Sequence, residues 1–186
     1  MRPDKEPTRI ERQVGMEPDA AIAELPCNCD WGIKRDTNGH TYCWRGYKAH
    51  LSWADGMVPL LCVTTSASVH DSQLAIPMMK RLAKSVTSLY DLMDSAYDAP
   101  SIHQVSESLG HVAIIDRNPR RGQKVNFAPA ECIRYQERSN AERGNSRLKD
   151  SFGLRVVRVR GNAKVHLHIM FGVLALFADQ IGKTKQ

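Results

Sequence analysis

Aromatic side chains make up only 6% of this 186-residue chain, and it carries five cysteines. An odd number of thiols argues against a closed disulfide framework and leaves reduced cysteines as the expectation. The opening segment MRPDKEPTRIERQ has no apolar h-region, so no secretory signal is read there and a cytoplasmic location is expected. The most apolar stretch, Leu167–Ala178, is about a dozen residues, short of the roughly 20 that a membrane span needs. It is bordered by His166, His168 and Asp179, and a buried core helix with no membrane partner is expected. The chain has neither internal repeats nor low-complexity tracts, and its length suffices for one ordinary domain with a core.

Cations are in mild excess: Lys plus Arg number 26 against 20 for Asp plus Glu, a net charge of +6. Net charge speaks to partners, and this one favours polyanions. Arg117, Arg120, Arg121 and Lys124 fall in one basic loop, and Arg155, Arg158 and Arg160 in a short run. Such clusters suit phosphate contacts, which position a nucleic acid without reading its bases; a solvated surface is the plain alternative. Cys27, Cys29, His40 and Cys43 offer thiol and imidazole ligands, but a C-x-C pair is tighter than the usual structural zinc spacing, so free thiols are preferred over an RNA-binding or zinc-binding module.

Residues 1–26 are polar and punctuated by Pro3, Pro7, Pro18 and Pro26, which reads as a mobile arm with a short helix at Pro18–Leu25. CDWGIKRDTNG reads as a polar loop. The stretch TYCWRGYKAHLSWA alternates apolar with polar from Thr41 to Ala54, Asp55-Gly56 signals a turn, and Val58–Thr65 completes an antiparallel hairpin. A helix follows to about Lys84, with Asp71 rather than a metal role as its expected cap. Then come a strand within Val86–Met93 ending at Asp94, a helix over Ala99–Leu109, a buried strand at Val112–Ile115, an extended piece at Leu154–Val159 and a last helix from about Ala163. Trp31, Trp44 and Trp53 are assigned to packing rather than base stacking. His166 and His168, two apart in a helix, face different ways and share no metal.

Between the last two extended segments lies YQERSNAERGNSRLK, Tyr135–Lys149. Read as one helix, at about 100° per residue, it places Tyr135, Arg138 and Lys149 within roughly 40° of Glu142. A solvated amphipathic helix is the bland reading. Against it stand Gly144 and Asn145, poor mid-helix choices, and a lone acid ringed by Arg138, Arg143, Arg147 and Lys149.

The spacing Tyr, two residues, Arg, three residues, Glu, six residues, Lys resembles the Tyr-Arg-Glu-Lys signature of DDE-class insertion-sequence transposases. RGYKAHLSWADGMVPLLCVTTSASVHDS and LYDLMDSAYDAP resemble the same family's second and third strands and its second catalytic aspartate. The resemblance, over roughly residues 27–181, implies an α/β, ribonuclease H-like mixed sheet flanked by helices, with residues 27–182 forming a partial catalytic domain and 183–186 a tail. It implies DNA transposition by metal-dependent strand cleavage and joining, with two Mg2+ or Mn2+ ions about 4 Å apart. Asp94 and Glu142 are the implied catalytic and metal-binding carboxylates, and Tyr135, Arg138 and Lys149 the implied DNA contacts; Lys48, within Arg45-Gly46-Tyr47-Lys48, is kept from the residues themselves as a further candidate DNA contact. Transposon-end DNA and a homodimer in a synaptic complex are the implied partners.

The family's opening strand, which carries the first aspartate, has no counterpart upstream of Thr41. Asp30 is the first stand-in, ahead of Asp36 and Asp55. The chain therefore reads as a truncated or decayed catalytic domain, with a non-catalytic DNA-binding remnant as the alternative.

Overall fold

The computed structural model describes residues 6–36, 38–118 and 126–184. Arg120, Arg121 and Lys124 of the basic loop lie outside the described residues. The fold is mixed α/β and divides into two discontinuous units. The first comprises residues 1–24 and 70–136, the second residues 25–69 and 137–186. One domain after an arm is what the sequence pattern predicts; the structure has two units that exchange the chain.

In the first unit, α1 (Arg9–Gln13) starts at a capping box in which Thr8 and Glu11 bond each other's backbone N–H groups. Then α2 (Pro18–Ala23) packs with α1 against α3 (Ser72–Ala83). The expected mobile arm is thus helical over these residues. Gln13 and Ala21 are buried, and Lys80 Nζ donates to the carbonyls of Gln13, Val14 and Met16 at 3.2, 2.6 and 2.9 Å. Polarity and proline content suggest an arm, but neither registers a lysine that collects three helix-end carbonyls.

Asp71 stands at the N-cap position of α3, but the side chain receiving the Ser72 N–H is that of His70, at 3.3 Å. Strands β4 (Tyr90–Met93) and β5 (Val112–Ile115) pair in parallel, Tyr90 opposite Val112 and Met93 opposite Ile115. They are linked by a single 3-10 turn and α4 (Pro100–Ser108), the short helical crossover that a parallel pair requires. Ile76, Ile102, Val105 and Ile115 form the core. Helix α5 (Pro129–Gln136) ends the unit.

The second unit holds an antiparallel sheet in the order β1 (Asp30–Arg35), β2 (Thr41–Ala54), β3 (Val58–Ser66). The expected hairpin of β2 and β3 is present. The stretch read as a polar loop is instead β1, pairing Asp30 with Gly46 through Arg35 with Thr41. Gly32 reads as a loop residue, but an added Cβ there would lie 2.4 Å from the Trp44 ring, so the glycine lets the indole lie across the strand. Asp36 closes the turn, its Oδ1 accepting the N–H groups of Asn38 and His40 at 2.9 and 2.8 Å.

Because β1 covers only Thr41–Gly46 and β3 only Tyr47–Ala54, the β1-side edge of Tyr47–Ala54 pairs with no strand among the described residues. Helices α6 (Arg138–Asp150) and α7 (Asn162–Thr184) cover the sheet, with Leu148, Val165, Ile169, Val173 and Leu176 as core. Leu154–Val159, expected to be extended, forms no strand.

Helix α7 runs 23 residues, longer than its apolar run suggests, and by length and composition it could cross a membrane. Its inner face packs on the sheet, while Leu167, Phe171, Leu174 and Ile181 are exposed.

Candidate active site and phosphate-contacting face

Asp94 follows the last residue of β4, the end of a strand where α/β sites gather. Its Oδ1 accepts the Ala96 N–H at 2.9 Å, and its carbonyl accepts that of Tyr97 at 3.0 Å, so the carboxylate caps the 3-10 turn Ser95–Tyr97. Asp91 and Asp98, equally plausible by position in the sequence, are differently engaged. Asp91 Oδ2 accepts from Ser106 Oγ at 2.6 Å and pairs with His111 Nδ1 at 2.9 Å. Asp98 pairs with His103 Nε2 at 3.1 Å and accepts the Asn118 N–H at 3.0 Å. Both serve to tie β4 and the turn after it to their surroundings.

The expected single helix over Tyr135–Lys149 is two. The helical hydrogen-bond ladder breaks at Glu137, whose backbone stays in the right-handed region at φ −62°, ψ −18°, and the unit boundary falls there as well. Glu137 is also where local side chains compete with the helix: its carboxylate takes the buried Asn140 side-chain amide, and Asn140 in turn takes Arg143. Tyr135 therefore belongs to α5 and the first unit, its ring 4.9 Å from that of Phe127. Next to it, the Arg134 guanidinium lies 5.0 Å over the Tyr90 ring.

On α6, Arg138 donates to Glu142 Oε1 at 2.8 Å, an i,i+4 pair whose acid side chain is 62% exposed. The pair has little worth for stability at that exposure. Lys149, in the last turn of α6, is exposed and lines a recess that Lys48 of β2 also lines. Lys48 Nζ donates to the Val69 carbonyl at 2.8 Å.

Gly144 has a packing reason that the sequence alone does not reveal: a Cβ there would lie 2.6 Å from the Trp53 ring. The indole lies against α6, and Trp53 belongs to the core neighbourhood as expected.

Asp30 opens β1 in the second unit. The Trp31 N–H at 2.8 Å, and then the Ser68 hydroxyl, hold its carboxyl below the ordinary carboxylate value. Asp55 begins the turn between β2 and β3. Carboxylate oxygens are the hard donors that Mg2+ or Mn2+ prefers. Yet among the described residues no three His, Cys, Asp or Glu side chains gather into a group that could hold a metal ion. The two carboxylates chosen from sequence sit in different units, Asp94 in the first and Glu142 in the second, and the described residues do not make a complete metal site. Cys27, Cys29, Cys43 and Cys132 are exposed free thiols; burial pushes the Cys62 thiol up to about 11.

His166 and His168 diverge as expected, the first bonded to Thr64 Oγ1 at 2.9 Å and the second to the Gly153 carbonyl at 3.0 Å. A family model described as the transposase DDE domain matches residues 18–178. No curated protein and no solved structure matches the chain.

Proposed function

The chain belongs to the transposase DDE domain family, and from that premise we propose that it is a catalytic domain of DNA transposition that keeps two of its three carboxylates. The observation that carries this reading is the contrast among the acids in and just after β4. Asp91 and Asp98 are tied up by Ser106, His111, His103 and Asn118, whereas among the described residues the Asp94 side chain bonds to the backbone of its own turn.

The reaction class is phosphoryl displacement on a DNA phosphodiester, for which bound Mg2+ or Mn2+ supplies Lewis-acid stabilisation. Asp94 and Glu142 are the carboxylates for such ions, and Asp30 is the stand-in third. Arg138 offers a planar guanidinium fork to phosphate, Lys149 and Lys48 point charges, and Tyr135 a hydroxyl. The ribonuclease H-like reading finds support in the element order. The order runs hairpin, helix, strand, helix, strand, helix.

A second reading, a DNA-binding remnant without chemistry, is favoured by the absence of a three-ligand group among the described residues. One experiment separates them. The purified chain is incubated with supercoiled DNA and Mn2+, and nicking is measured beside salt-dependent binding. Metal-dependent nicking that falls about a hundredfold or more in Asp94→Ala and in Glu142→Ala supports the catalytic reading. Binding without nicking leaves the remnant. Nicking that survives both substitutions overturns the site assignment.

A further inference from the structure

The second unit contains a recess of about 1060 Å³ bounded by β2, the end of α6, residues 154–161 and the start of α7. Its size is at the upper end of small-molecule pockets, which run to about 1,000 Å³. Arg45, Lys48, Lys149, Arg155 and Arg160 line it, and none of its lining residues is an aspartate or glutamate. Arg155 is paired with Asp150 and Lys48 with the Val69 carbonyl, and Asp30 and Asp150 act through space on Arg45 and Lys149, so the recess keeps a reduced positive charge centred on Arg45, Lys149 and Arg160.

Between the cations the walls are flat and apolar. Trp44 and Tyr47 come from β2, Leu148 and Ile169 from the helices, and Val157 and Val159 from the segment after α6.

Cations call for phosphate, and aromatic faces call for planar bases. A duplex presents the first but keeps its base faces stacked inside, where Trp44 and the valines cannot reach them. An unpaired strand presents both, which is how sequence-tolerant single-strand sites work. A polypeptide strand added at the β2 edge would fill the apolar walls but bring no counter-charge to Arg45, Lys149 and Arg160. We propose that this recess binds a single-stranded stretch of nucleic acid, phosphates on Arg45, Lys149 and Arg160 and bases against Trp44 and Tyr47.

This inference rests on the DNA partner of the proposed function but not on phosphoryl transfer. The test is fluorescence anisotropy on the full chain without metal, using an oligothymidine of about 15 nucleotides and a duplex of equal length at about 0.1 M salt. The single strand is expected to bind about tenfold more tightly. The double variant Arg45→Glu, Arg160→Glu, both positions exposed, is expected to lose that binding by about tenfold or more with unchanged far-UV circular dichroism.

The unaltered chain gives a second measure. Its single-strand affinity should fall with log salt at a slope near −2, roughly 0.7 for each of the three cations assigned to phosphates. A duplex that binds as tightly overturns the proposal. So does a slope shallower than about −1, or a folded double variant whose affinity is unchanged; that last result points to a polypeptide strand on the β2 edge. Loss of nicking with single-strand binding intact would count against the catalytic reading only.

Discussion

The two units treat charge in opposite ways. In the first, two acids are closed off locally: Asp91 by Ser106 and His111, Asp98 by His103 and Asn118. Its lysine at position 80 is likewise spent on helix-end carbonyls. In the second, five cations border one recess without an acid among its lining residues. Charge used up in packing serves the fold, and charge left at an open surface is what a ligand can use. On this comparison Asp94 differs from Asp91 and Asp98 because, among the described residues, its side chain bonds to its own turn.

Substitutions should separate the two uses. The largest effect is expected at Ser106, fully buried and donating to Asp91. Ser106→Ala should cost about 1.5–3 kcal/mol in urea unfolding, the range for a hydrogen bond to a charged group. A loss under about half a kilocalorie would break the idea that the first unit depends on its acids being satisfied.

Next comes Gly144→Ala. Helix propensity favours alanine by about 1 kcal/mol, but the new Cβ would meet the Trp53 ring at 2.6 Å. Overpacking of that kind costs about 1–3 kcal/mol, so the midpoint should fall. A rise would mean that the indole yields.

By contrast, Arg160→Gln in the recess should change stability by no more than about 0.5 kcal/mol. A larger loss would show that this cation belongs to the fold after all.

The smallest effect is at Asp179. Hydrogen bonds from Lys183 and then Arg147 hold its carboxyl below the ordinary value. Its contribution is thus present above about pH 4, the ordinary range, and fades as pH falls through the depressed value. Asp179→Asn should therefore lower stability slightly at neutral pH, leave it unchanged below the depressed value, and so flatten the acid end of the profile.

Much of the architecture could be read from sequence where one face of an element is apolar. The alternation of TYCWRGYKAHLSWA and the Asp55-Gly56 turn located β2 and β3, and the apolar run before Asp94 located β4. What escaped reading depends on partners distant in sequence or on a single contact. Strand β1 is short, polar and interrupted by Gly32, and it pairs because Trp44 fills the space where a side chain would be. The break at Glu137, beside side-chain bonds that run through Asn140 to Arg143, is not something helix periodicity registers. For the candidate site, spacing put Arg138 beside Glu142, as the structure has it. It could not say that Tyr135 belongs to another unit, nor that Arg45 and Arg160 border one recess.

The exchange of chain between units also sets an order of events during synthesis. Thr64 of the hairpin meets His166 of α7 at 2.9 Å, 102 residues later in the chain. At about 5–20 residues per second, the ribosome takes roughly 5–20 s to deliver that helix. For that interval the hairpin has emerged with Leu51, Trp53 and Cys62 uncovered, although all three pack on the finished core. The yield of this protein should therefore depend on what shelters a half-made sheet, and slower translation should lower it.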